Sequence, residues 1–342
     1  MESRTRQNGD MRAWLMDSYE GIQNLHIGEV DDPQPNRGQV LLAVRFAALN
    51  PADAFLAQAQ YPAKPSLPHI LGRDASGVVR EVHPSVKSVR VGDSMGILTC
   101  NVGAEVWGTL AEQVLVPEDN LVPIPPGWSA EEMAGAPLVF LTAWQALTQW
   151  DDPPAPPPER SVLLVTGASG GVGVASVLLG QSMGLTVVAL SRSAEKSARL
   201  KALGADVVLD PSDPQLRKSL NAAIAPKKVD LVIDSIGGPL FDQLLSILGY
   251  RGRISVVGRS AGAVPHFNTA SLLFRRARIG GVAVADYTPE AEQTAWKEIV
   301  RRLAAIGKRP VVDRVFPFED VKPAFARLQQ GPMGKVVLRI AG

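Results

Sequence analysis

The sequence predicts an α/β protein in which a doubly wound parallel sheet is combined with a second, β-rich domain. Three observations lead to this prediction. The chain has 342 residues, enough for about two domains of ordinary size. Up to about residue 125, short strand-like runs follow one another without helical periodicity between them. Beyond about residue 160, strand-like and helix-like segments alternate, as in a parallel sheet covered by helices.

The β-rich part is predicted from short runs of Val and Leu bounded by Gly, Pro and Asp, which favour turns. The clearest runs are Val40–Phe46, Ala75–Val82 and Leu110–Val116. Because only loops are expected between them, we predict a small barrel or folded sheet.

The composition changes near Ser129. This residue and the following carboxylates, up to Glu132, are typical of a helix start. An apolar segment, Met133–Trp150, continues from there. Pro153–Pro158 is then expected to be a surface loop, because proline cannot supply ladder hydrogen bonds; a polyproline docking motif is the alternative.

The alternating part predicts five buried parallel strands with helices between them, since each strand is a continuous run of Val, Leu and Ile. The predicted strands are Ser161–Thr166, Thr186–Leu190, Asp206–Leu209, Val229–Asp234 and Arg253–Val257, with Arg278–Val284 as a sixth. The predicted helices are Val172–Met183, Ala194–Leu203, Gln215–Ala223 and Pro239–Leu248. Two more helices, Pro289–Ile306 and Val321–Gln329, and a strand, Lys335–Ile340, are predicted after them.

The charge balance and the cysteine content exclude several classes of function. Lys and Arg number 35 against 34 Asp and Glu, a formal net charge of +1, which disfavours a nucleic-acid or anionic-membrane binder. Cys100 is the one cysteine, so neither an internal disulfide nor a cysteine-rich zinc lobe can form.

Nothing in the sequence predicts a signal peptide or a membrane span. Met1–Asp10 is polar and has no apolar core. Ser161–Ser191 carries no charge, but its glycines divide it into strand-like, turn-like and helix-like pieces. We therefore expect a cytoplasmic protein.

The strongest chemical motif is the glycine-rich turn Thr166–Gly173, which follows a predicted strand and precedes a predicted helix. In that context, small residues let the backbone turn sharply and approach a pyrophosphate, which the N-terminus of the helix then binds. The residues expected to contact a dinucleotide here are Ala168, Gly170, Gly171, Val172 and Gly173. A turn that binds nothing is the alternative.

The end of the second strand of this part predicts NADPH rather than NADH. An acidic residue is expected there in an NAD-binding protein, because it accepts hydrogen bonds from the ribose. The sequence offers Ser191, Arg192 and Lys196 instead, and these suit a 2′-phosphate. Alternatively, the two cations belong to a solvated helix start, partly balanced by Glu195.

Several separated motifs together resemble the zinc-independent quinone oxidoreductases, the zeta-crystallin-like branch of the medium-chain dehydrogenase/reductase superfamily. The resemblance covers nearly all of Met11–Gly342. Its motifs are Asn50-Pro-Ala-Asp53, Gly72-Arg-Asp-Ala-Ser-Gly77, Val91-Gly-Asp93, Leu141-Thr-Ala-Trp-Gln-Ala-Leu147, the glycine-rich turn, Leu203-Gly-Ala-Asp206, Val232-Ile-Asp-Ser-Ile-Gly237 and Gly334-Lys-Val-Val-Leu338.

The resemblance implies a GroES-like catalytic domain built from both ends of the chain and a Rossmann domain between them. The expected segments are residues 1–128, 129–285 and 286–342. It also implies a homodimer that pairs through the last Rossmann strand, here Arg278–Val284, although a loop could cover that edge.

The resemblance further implies that no metal is used. Zinc-dependent relatives carry a Gly-His-Glu motif, whereas this chain has Gly72-Arg73-Asp74, and Cys100 lies elsewhere. Without a Lewis acid, hydride transfer to a conjugated acceptor remains: a quinone, an enal, an enone or an enoyl thioester. The negative charge that develops on the acceptor then needs a donor or a bound water.

Asn50 and Tyr61 are the candidate catalytic residues. The resemblance places Asn50 near the nicotinamide, where it orders a water or the acceptor carbonyl; a local Asx turn is the alternative. Asp53 is expected to hold this loop together. Tyr61 is the candidate proton donor, and the alternative is an amphipathic wall of the substrate pocket.

Other residues complete the expected cofactor site. Thr142 lies in a segment that lines it in relatives, and Ser235 and Gly258 follow predicted strands at the ligand-facing edge of the sheet. The cluster Arg275, Arg276 and Arg278, together with His69 and Cys100, is expected to be packing or surface.

The sequence thus predicts an NADPH-dependent quinone or alkenal reductase with a small-molecule acceptor. An enoyl thioester reductase of the same fold is an alternative, although no long basic path for CoA is evident. A non-catalytic NADPH- or RNA-binding protein is another, disfavoured by the neutral charge and the lack of interleaved basic and aromatic residues.

Overall fold

The computed structural model describes residues 10–151, 157–262 and 265–341. The chain forms two compact units. The first contains the described residues up to Leu138 with Tyr287–Thr294 and the chain from Pro310 onward; the second contains Val139–Asp286 and Ala295–Arg309. Most of the proline-rich connector predicted at Pro153–Pro158 lies outside the described residues.

The first unit is β-rich, as the sequence predicted. Its strands are β1 (Asp10–Met16), β2 (His26–Asp31), β3 (Gln39–Ala48), β4 (His69–Ile70), β5 (Asp74–Val82), β6 (Ser94–Ile97), β7 (Gln113–Pro117), β8 (Leu121–Pro123), β15 (Val312–Pro317) and β16 (Lys335–Arg339). Its helices are α1 (Pro51–Ala57), α2 (Ala130–Ala134) and α10 (Val321–Gln329).

Two sheets build this unit. The larger has the order β15-β16-β3-β5-β6-β8, with β7 also pairing with β3, and the smaller has the order β2-β1-β4. All pairs are antiparallel except β15 with β16. Strand β16 therefore lies inside the larger sheet, next to β3, and chain segments far apart in sequence share one core.

The expectation of loops alone between the early strands is wrong, because α1 begins directly after Asn50. Pro51 occupies the first turn, where its missing N–H costs nothing, and the Asp53 carboxylate accepts a hydrogen bond from the Asn50 N–H at 2.8 Å. With seven residues, α1 is too short to show a helical repeat. The strand expected at Leu110–Val116 starts later, at Gln113.

The second unit is the predicted doubly wound α/β fold. Its six strands are all parallel, in the order β11-β10-β9-β12-β13-β14. They are β9 (Val162–Val165), β10 (Thr186–Leu190), β11 (Val207–Leu209), β12 (Val229–Asp234), β13 (Leu248–Val256) and β14 (Arg278–Gly281). The chain proceeds in one direction from β9 to β11 and in the other from β12 to β14, which makes the carboxyl edge of β9 a switch point where such sheets bind ligands.

Helices α4 (Gly171–Ser182), α5 (Ala194–Leu203), α6 (Leu216–Ile224), α7 (Leu240–Ile247) and α8 (Thr269–Arg275) connect these strands. Two further helices, α3 (Pro137–Thr148) and α9 (Pro289–Ala305), are each divided between the units. The uncharged stretch Ser161–Ser191 comprises β9, α4 and β10. Among the helices of the described residues, none has the length and apolar character needed to cross a bilayer.

The last strand of this sheet is shorter than predicted. β14 ends at Gly281 rather than Val284, and a 3-10 turn follows at Val284–Asp286. Two consecutive glycines, Gly280 and Gly281, give this strand no side chains to pack, which weakens it.

Candidate active site and dinucleotide-binding turn

The glycine-rich turn joins β9 to α4 at the switch point. Gly167 has a positive φ of 55°, and its carbonyl accepts a hydrogen bond from the Gly170 N–H at 2.9 Å. Gly170 is the N-cap of α4, no side chain caps the helix, and its first turn holds no acidic residue. The first N–H groups of a 12-residue helix therefore remain free of side-chain caps, which fits the binding of a pyrophosphate.

The glycines of this turn have different roles. A Cβ on Gly173 would collide with the Gly167 carbonyl oxygen and lie 2.6 Å from the Ala168 Cα, so only glycine allows the helix to approach the turn. A Cβ on Gly170 would meet just the Gly167 oxygen, at 3.4 Å. Gly170, Gly171 and Val172 are part-exposed, so a ligand can reach this backbone.

The turn is held from β12 by a network that the sequence did not predict. The Asp234 carboxylate accepts hydrogen bonds from the Thr166 hydroxyl at 2.6 Å and from the Ile236 and Gly237 N–H groups at 3.1 Å each. The Ser235 hydroxyl donates to the Thr166 carbonyl at 3.1 Å. The sequence did contain one indication of this network, because the predicted buried strand Val229–Asp234 ends in a carboxylate.

The other predicted cofactor residues lie in the same unit. A Cβ on Gly258 would lie 2.8 Å from the Ser235 carbonyl oxygen, so the ends of β12 and β13 are in close contact. Thr142 is buried on α3.

The end of β10 carries an exposed positive charge. The Ser191 N–H donates to the Leu209 carbonyl at 2.9 Å, and Arg192 follows with an exposed side chain. Ser193 caps α5 by accepting from the Lys196 N–H at 3.3 Å. The pKa of Asp210 is lowered, first by the Ser212 hydroxyl and more weakly by the charge of Arg192.

The first unit contains a separate polar group centred on Asp74. One Asp74 carboxylate oxygen accepts from the Lys335 ammonium at 3.0 Å and from the Asn50 amide nitrogen at 2.9 Å. Lys335 also donates to the Asn50 amide oxygen at 2.6 Å. All three residues are buried. The other Asp74 carboxylate oxygen accepts from the Leu138 N–H at 3.2 Å, so this buried charge is compensated and hydrogen-bonded.

The Asn50 side chain has partners beyond its own loop, although Asn50 and Asp53 also form the capping box that begins α1. Both its oxygen and its nitrogen are bonded to partners from β5 and β16. Asp53 holds the loop, as expected, and burial raises its pKa to about 6, opposed by the charges of Arg73 and Lys335. Lys335 was present in the Gly334-Lys-Val-Val-Leu338 motif, but its partners were not predictable from the sequence.

Tyr61 and Arg73 form a second contact in this unit. Arg73 Nη1 donates to the Tyr61 hydroxyl at 2.9 Å, and the guanidinium carbon lies 4.4 Å from the centre of the Tyr61 ring. The remaining Arg73 nitrogens, Nε and Nη2, are buried and have no hydrogen-bond partner within the described residues.

His69 and Cys100 show no sign of reactivity. Burial raises the pKa of the Cys100 thiol to about 12, so it is not a thiolate at neutral pH. Burial also lowers the pKa of the His69 imidazole, and the charge of Arg73 lowers it further.

The donor set does not fit a catalytic zinc. Where zinc-dependent relatives have a histidine, the chain has Arg73, which is not a metal ligand, and Asp74 is engaged by Lys335 and Asn50. Among the described residues, no group of three His, Cys, Asp or Glu side chains could hold a metal.

Comparisons with known proteins agree with this architecture. The sequence model of a protein family described as zinc-binding dehydrogenase matches residues 171–304. A second family model, described as alcohol dehydrogenase GroES-like domain, matches residues 36–126. A solved structure described as an NAD-dependent alcohol dehydrogenase is 31% identical, with a TM-score of 0.88 over 97% of this chain and 100% of that one. The chain belongs to the medium-chain dehydrogenase/reductase superfamily.

Relatives within this superfamily carry different names. The quinone oxidoreductase of Sus scrofa is 26% identical over 91% of this chain and 92% of its own length. A zinc-type alcohol dehydrogenase-like protein of Schizosaccharomyces pombe is 28% identical over 96% of this chain and 99% of its own. A mycobacterial protein whose structure was solved with NADPH is 26% identical, with a TM-score of 0.86 over 96% of this chain and 100% of that one. The predicted resemblance is therefore confirmed. The chain belongs to the predicted superfamily, and its relatives include proteins named quinone oxidoreductase.

Proposed function

We propose that this superfamily member uses NADPH to reduce a quinone or an α,β-unsaturated carbonyl compound without zinc. One observation carries the proposal: Asp74 of the Gly72-Arg73-Asp74 motif is bound by Lys335 and Asn50, beside an arginine that replaces the metal-ligating histidine. This donor set favours an acceptor that conjugation has already activated.

Residues of the second unit are proposed to bind the dinucleotide. The first N–H groups of α4, at Gly171–Gly173, bind the pyrophosphate, and Arg192 and Lys196 bind the 2′-phosphate. Thr142, Ser235 and Gly258 are proposed to contact the rest of the cofactor. When bound, reduced nicotinamide supplies a hydride ion. The NADPH-bound mycobacterial neighbour supports this choice of cofactor, whereas the neighbour described as NAD-dependent represents the alternative.

Asn50 is proposed to orient the acceptor carbonyl or a water. Its amide nitrogen has two hydrogens, of which Asp74 accepts one, so the second is the group available for this role. Lys335 and Asp74 fix the amide from both sides, because they bond its oxygen and its nitrogen respectively.

Tyr61 is proposed to donate the proton that completes the reduction of an enone. It accepts a hydrogen bond from Arg73, so its own hydroxyl hydrogen remains available for transfer. We expect Tyr61→Phe to lower kcat for enones by about 10²-fold, the ordinary contribution of a general acid. Tyr19→Phe is the matched control, because its hydroxyl donates to the Pro65 carbonyl at 2.7 Å in the same unit. Equal turnover of the best enone by the wild type and Tyr61→Phe would show that Tyr61 is not the proton donor.

The test of the proposed function is steady-state oxidation of NADPH with a panel of quinones, enals, enones and crotonyl-CoA, before and after treatment with a zinc chelator. Turnover with quinones or with enals and enones, unchanged by the chelator, is the expected result. Preference for crotonyl-CoA would favour the enoyl thioester alternative. Absence of turnover with every acceptor, or loss of turnover with the chelator, would refute the proposal.

A further inference from the structure

Arg73 places a part-buried positive charge inside the first unit. Its guanidinium carries a permanent charge, yet within the described part of the chain it forms no ion pair. Its neighbour Asp74, in contrast, is fully engaged with Lys335 and Asn50. Leaving buried donor atoms of a charged group without a partner is costly, and such conflicts concentrate at functional sites.

Unused polar atoms accompany that charge. Arg73 Nε and Nη2, Asp53 Oδ1 and His69 Nε2 are all buried without a hydrogen-bond partner in the described residues. Burial is the main cause of the shifted pKa values of Asp53 and His69, and the nearby charge of Arg73 acts to lower both. Buried polar groups are normally satisfied, and a cluster of unsatisfied ones indicates a place for a polar ligand or water.

The orientation of the guanidinium is fixed before any ligand arrives. Nη1 is bonded to the Tyr61 hydroxyl, and the plane packs on the Tyr61 ring. Nε and Nη2 are the two nitrogens without a partner in the described residues, and a guanidinium can present one N–H from each to one or two oxygens. Their partner is therefore an oxygen acceptor, and the positive charge favours one that carries negative charge.

We propose that Arg73 binds the carbonyl oxygen of the acceptor and stabilises the negative charge that develops on it. The inference rests on the function proposed above and assigns the acceptor class: a conjugated carbonyl whose oxygen becomes an enolate or a hydroquinone anion. Arg73 thus supplies a fixed cation at the motif position where zinc-dependent relatives have a metal-ligating histidine.

Reduction of an enone takes up one hydride ion and one proton. A hydride ion from the reduced dinucleotide forms a C–H bond at the β-carbon, the C=C π pair becomes the enolate double bond, and the carbonyl π pair moves to the oxygen. The acceptor gains two electrons and the oxygen becomes negative. One proton added at the α-carbon restores the carbonyl, and the dinucleotide is left oxidised. A preorganised cation near that oxygen lowers the barrier, because the charge is present only after hydride addition.

The first test uses 4-nitrophenol as the probe and protein without cofactor. Its phenolate is coloured and resembles an enolate oxygen, so a site that favours the anion lowers the pKa of the bound probe relative to the free one. We expect this lowering in the wild type, its loss in Arg73→Gln and a partial effect in Arg73→Lys, which keeps the charge without the planar fork. Failure of the wild type to bind the phenolate, or equal binding by Arg73→Gln, would overturn the proposal.

Arg80→Gln is the matched control. Arg80 lies on the same strand, β5, but is exposed, with Nη2 3.7 Å from Asp32 Oδ2, so its removal is expected to leave the probe unchanged. Thermal unfolding of each variant shows that it is folded. If Arg73→Gln does not fold, Arg73→Lys decides the question, because a result identical to that of the wild type would exclude a role for the planar guanidinium.

The second test measures kinetics on an enone that the wild type reduces. We expect Arg73→Gln to lower kcat by at least about 10²-fold with a smaller change in KM, as for removal of one oxyanion donor. An unchanged kcat would overturn the proposal, as would a rise in KM confined to acceptors that carry a carboxylate. If the wild type reduces no acceptor at all, the proposed function fails, whereas the phenolate titration still decides whether Arg73 binds an anionic oxygen.

Discussion

Single residues determine which charges in this protein are available to a ligand. Asp74 and Lys335 are both buried, and each meets the other and Asn50, so neither has an unmet demand for a partner. Arg192, which follows β10 with an exposed side chain, is free of this constraint, and we propose it as a phosphate ligand. A charge that the fold has already neutralised holds the site in place, and one that it has not neutralised is available for recognition.

Arg192→Ala is expected to raise the KM for NADPH by about tenfold and to leave the KM for NADH nearly unchanged, because only NADPH has the 2′-phosphate. Steady-state kinetics with each cofactor measures the ratio. The control is Arg199→Ala, an exposed arginine further along α5. Equal affinity of the wild-type protein for the two cofactors would contradict the assignment.

The site residues differ in how far the sequence reveals them. Asn50, Tyr61 and the glycine-rich turn lie in local motifs whose residue types suggest their chemistry. The contact of Lys335 with Asn50 depends on β16 pairing with β3, in which Val337 faces Ala48, and no local pattern specifies that register. The unsatisfied nitrogens of Arg73 depend on burial and partners, which are properties of the fold.

At the level of elements, the close packing of α4 against the glycine-rich turn requires a residue without a side chain at position 173. We expect Gly173→Ala to destabilise the protein by about 1–3 kcal/mol, because the new Cβ meets the Gly167 carbonyl and the Ala168 backbone, which cannot rotate away. Gly170→Ala is the control in the same turn, with its Cβ 3.4 Å from its nearest neighbour. Denaturant unfolding of both variants measures the difference, and equal stability would argue against close packing at Gly173.

The first turn of α9 carries a buried carboxylate. Glu292 Oε1 accepts from the Thr99 N–H at 2.7 Å and Oε2 from the Asn120 amide at 3.2 Å. Burial raises the pKa of Glu292 to about 7, from 4.5. The same carboxylate contributes, after burial, to the raised pKa values of Tyr287 and Cys100, both about 12.

This shift makes stability depend on pH. Below about pH 4.5, Glu292 is protonated in both the folded and the unfolded chain, so it does not make the free energy of unfolding depend on pH. Between about pH 4.5 and 7, only the unfolded chain ionises, so the free energy of unfolding falls by up to about 3 kcal/mol as pH rises. Glu292→Gln is expected to remove this part of the fall, measured by denaturant unfolding across that range. Glu290→Gln, exposed on the same helix, serves as the control, and parallel pH profiles for the wild type and Glu292→Gln would contradict the shift.

Several elements of the second unit were predictable, since Thr186–Leu190, Ala194–Leu203 and Val229–Asp234 have the bounds that the sequence indicated. The elements missed lack a strong pattern. α1 spans seven residues, β4 two, and β2 is largely exposed, so none has a clear alternation of buried and exposed residues. For β2 and β4, pairing with β1 rather than local preference sets the structure.

For the whole molecule, we expect a homodimer paired through β14. This strand is the edge of the six-stranded sheet, and Ile279 is 39% exposed. On the adjacent α8, Leu273 and Phe274 are 70% and 78% exposed, an apolar surface that an isolated chain would rarely leave in water. The double variant Phe274→Asp/Ile279→Lys is expected to be monomeric by sedimentation equilibrium. Val91→Asp, at an exposed position of the first unit, is expected to retain the dimer, and a monomeric wild type would refute the assembly.

The place of β16 inside the larger sheet has a consequence for synthesis on the ribosome. Strand β3 pairs with β5 and β7 early in translation, yet it cannot meet β16 until Lys335–Arg339 has emerged. The six strands of the second unit, by contrast, all lie between Val162 and Gly281 and are translated sooner. A nascent chain therefore exposes an unsatisfied strand edge until Lys335–Arg339 has been translated, and a chaperone that shields such edges would act during that interval.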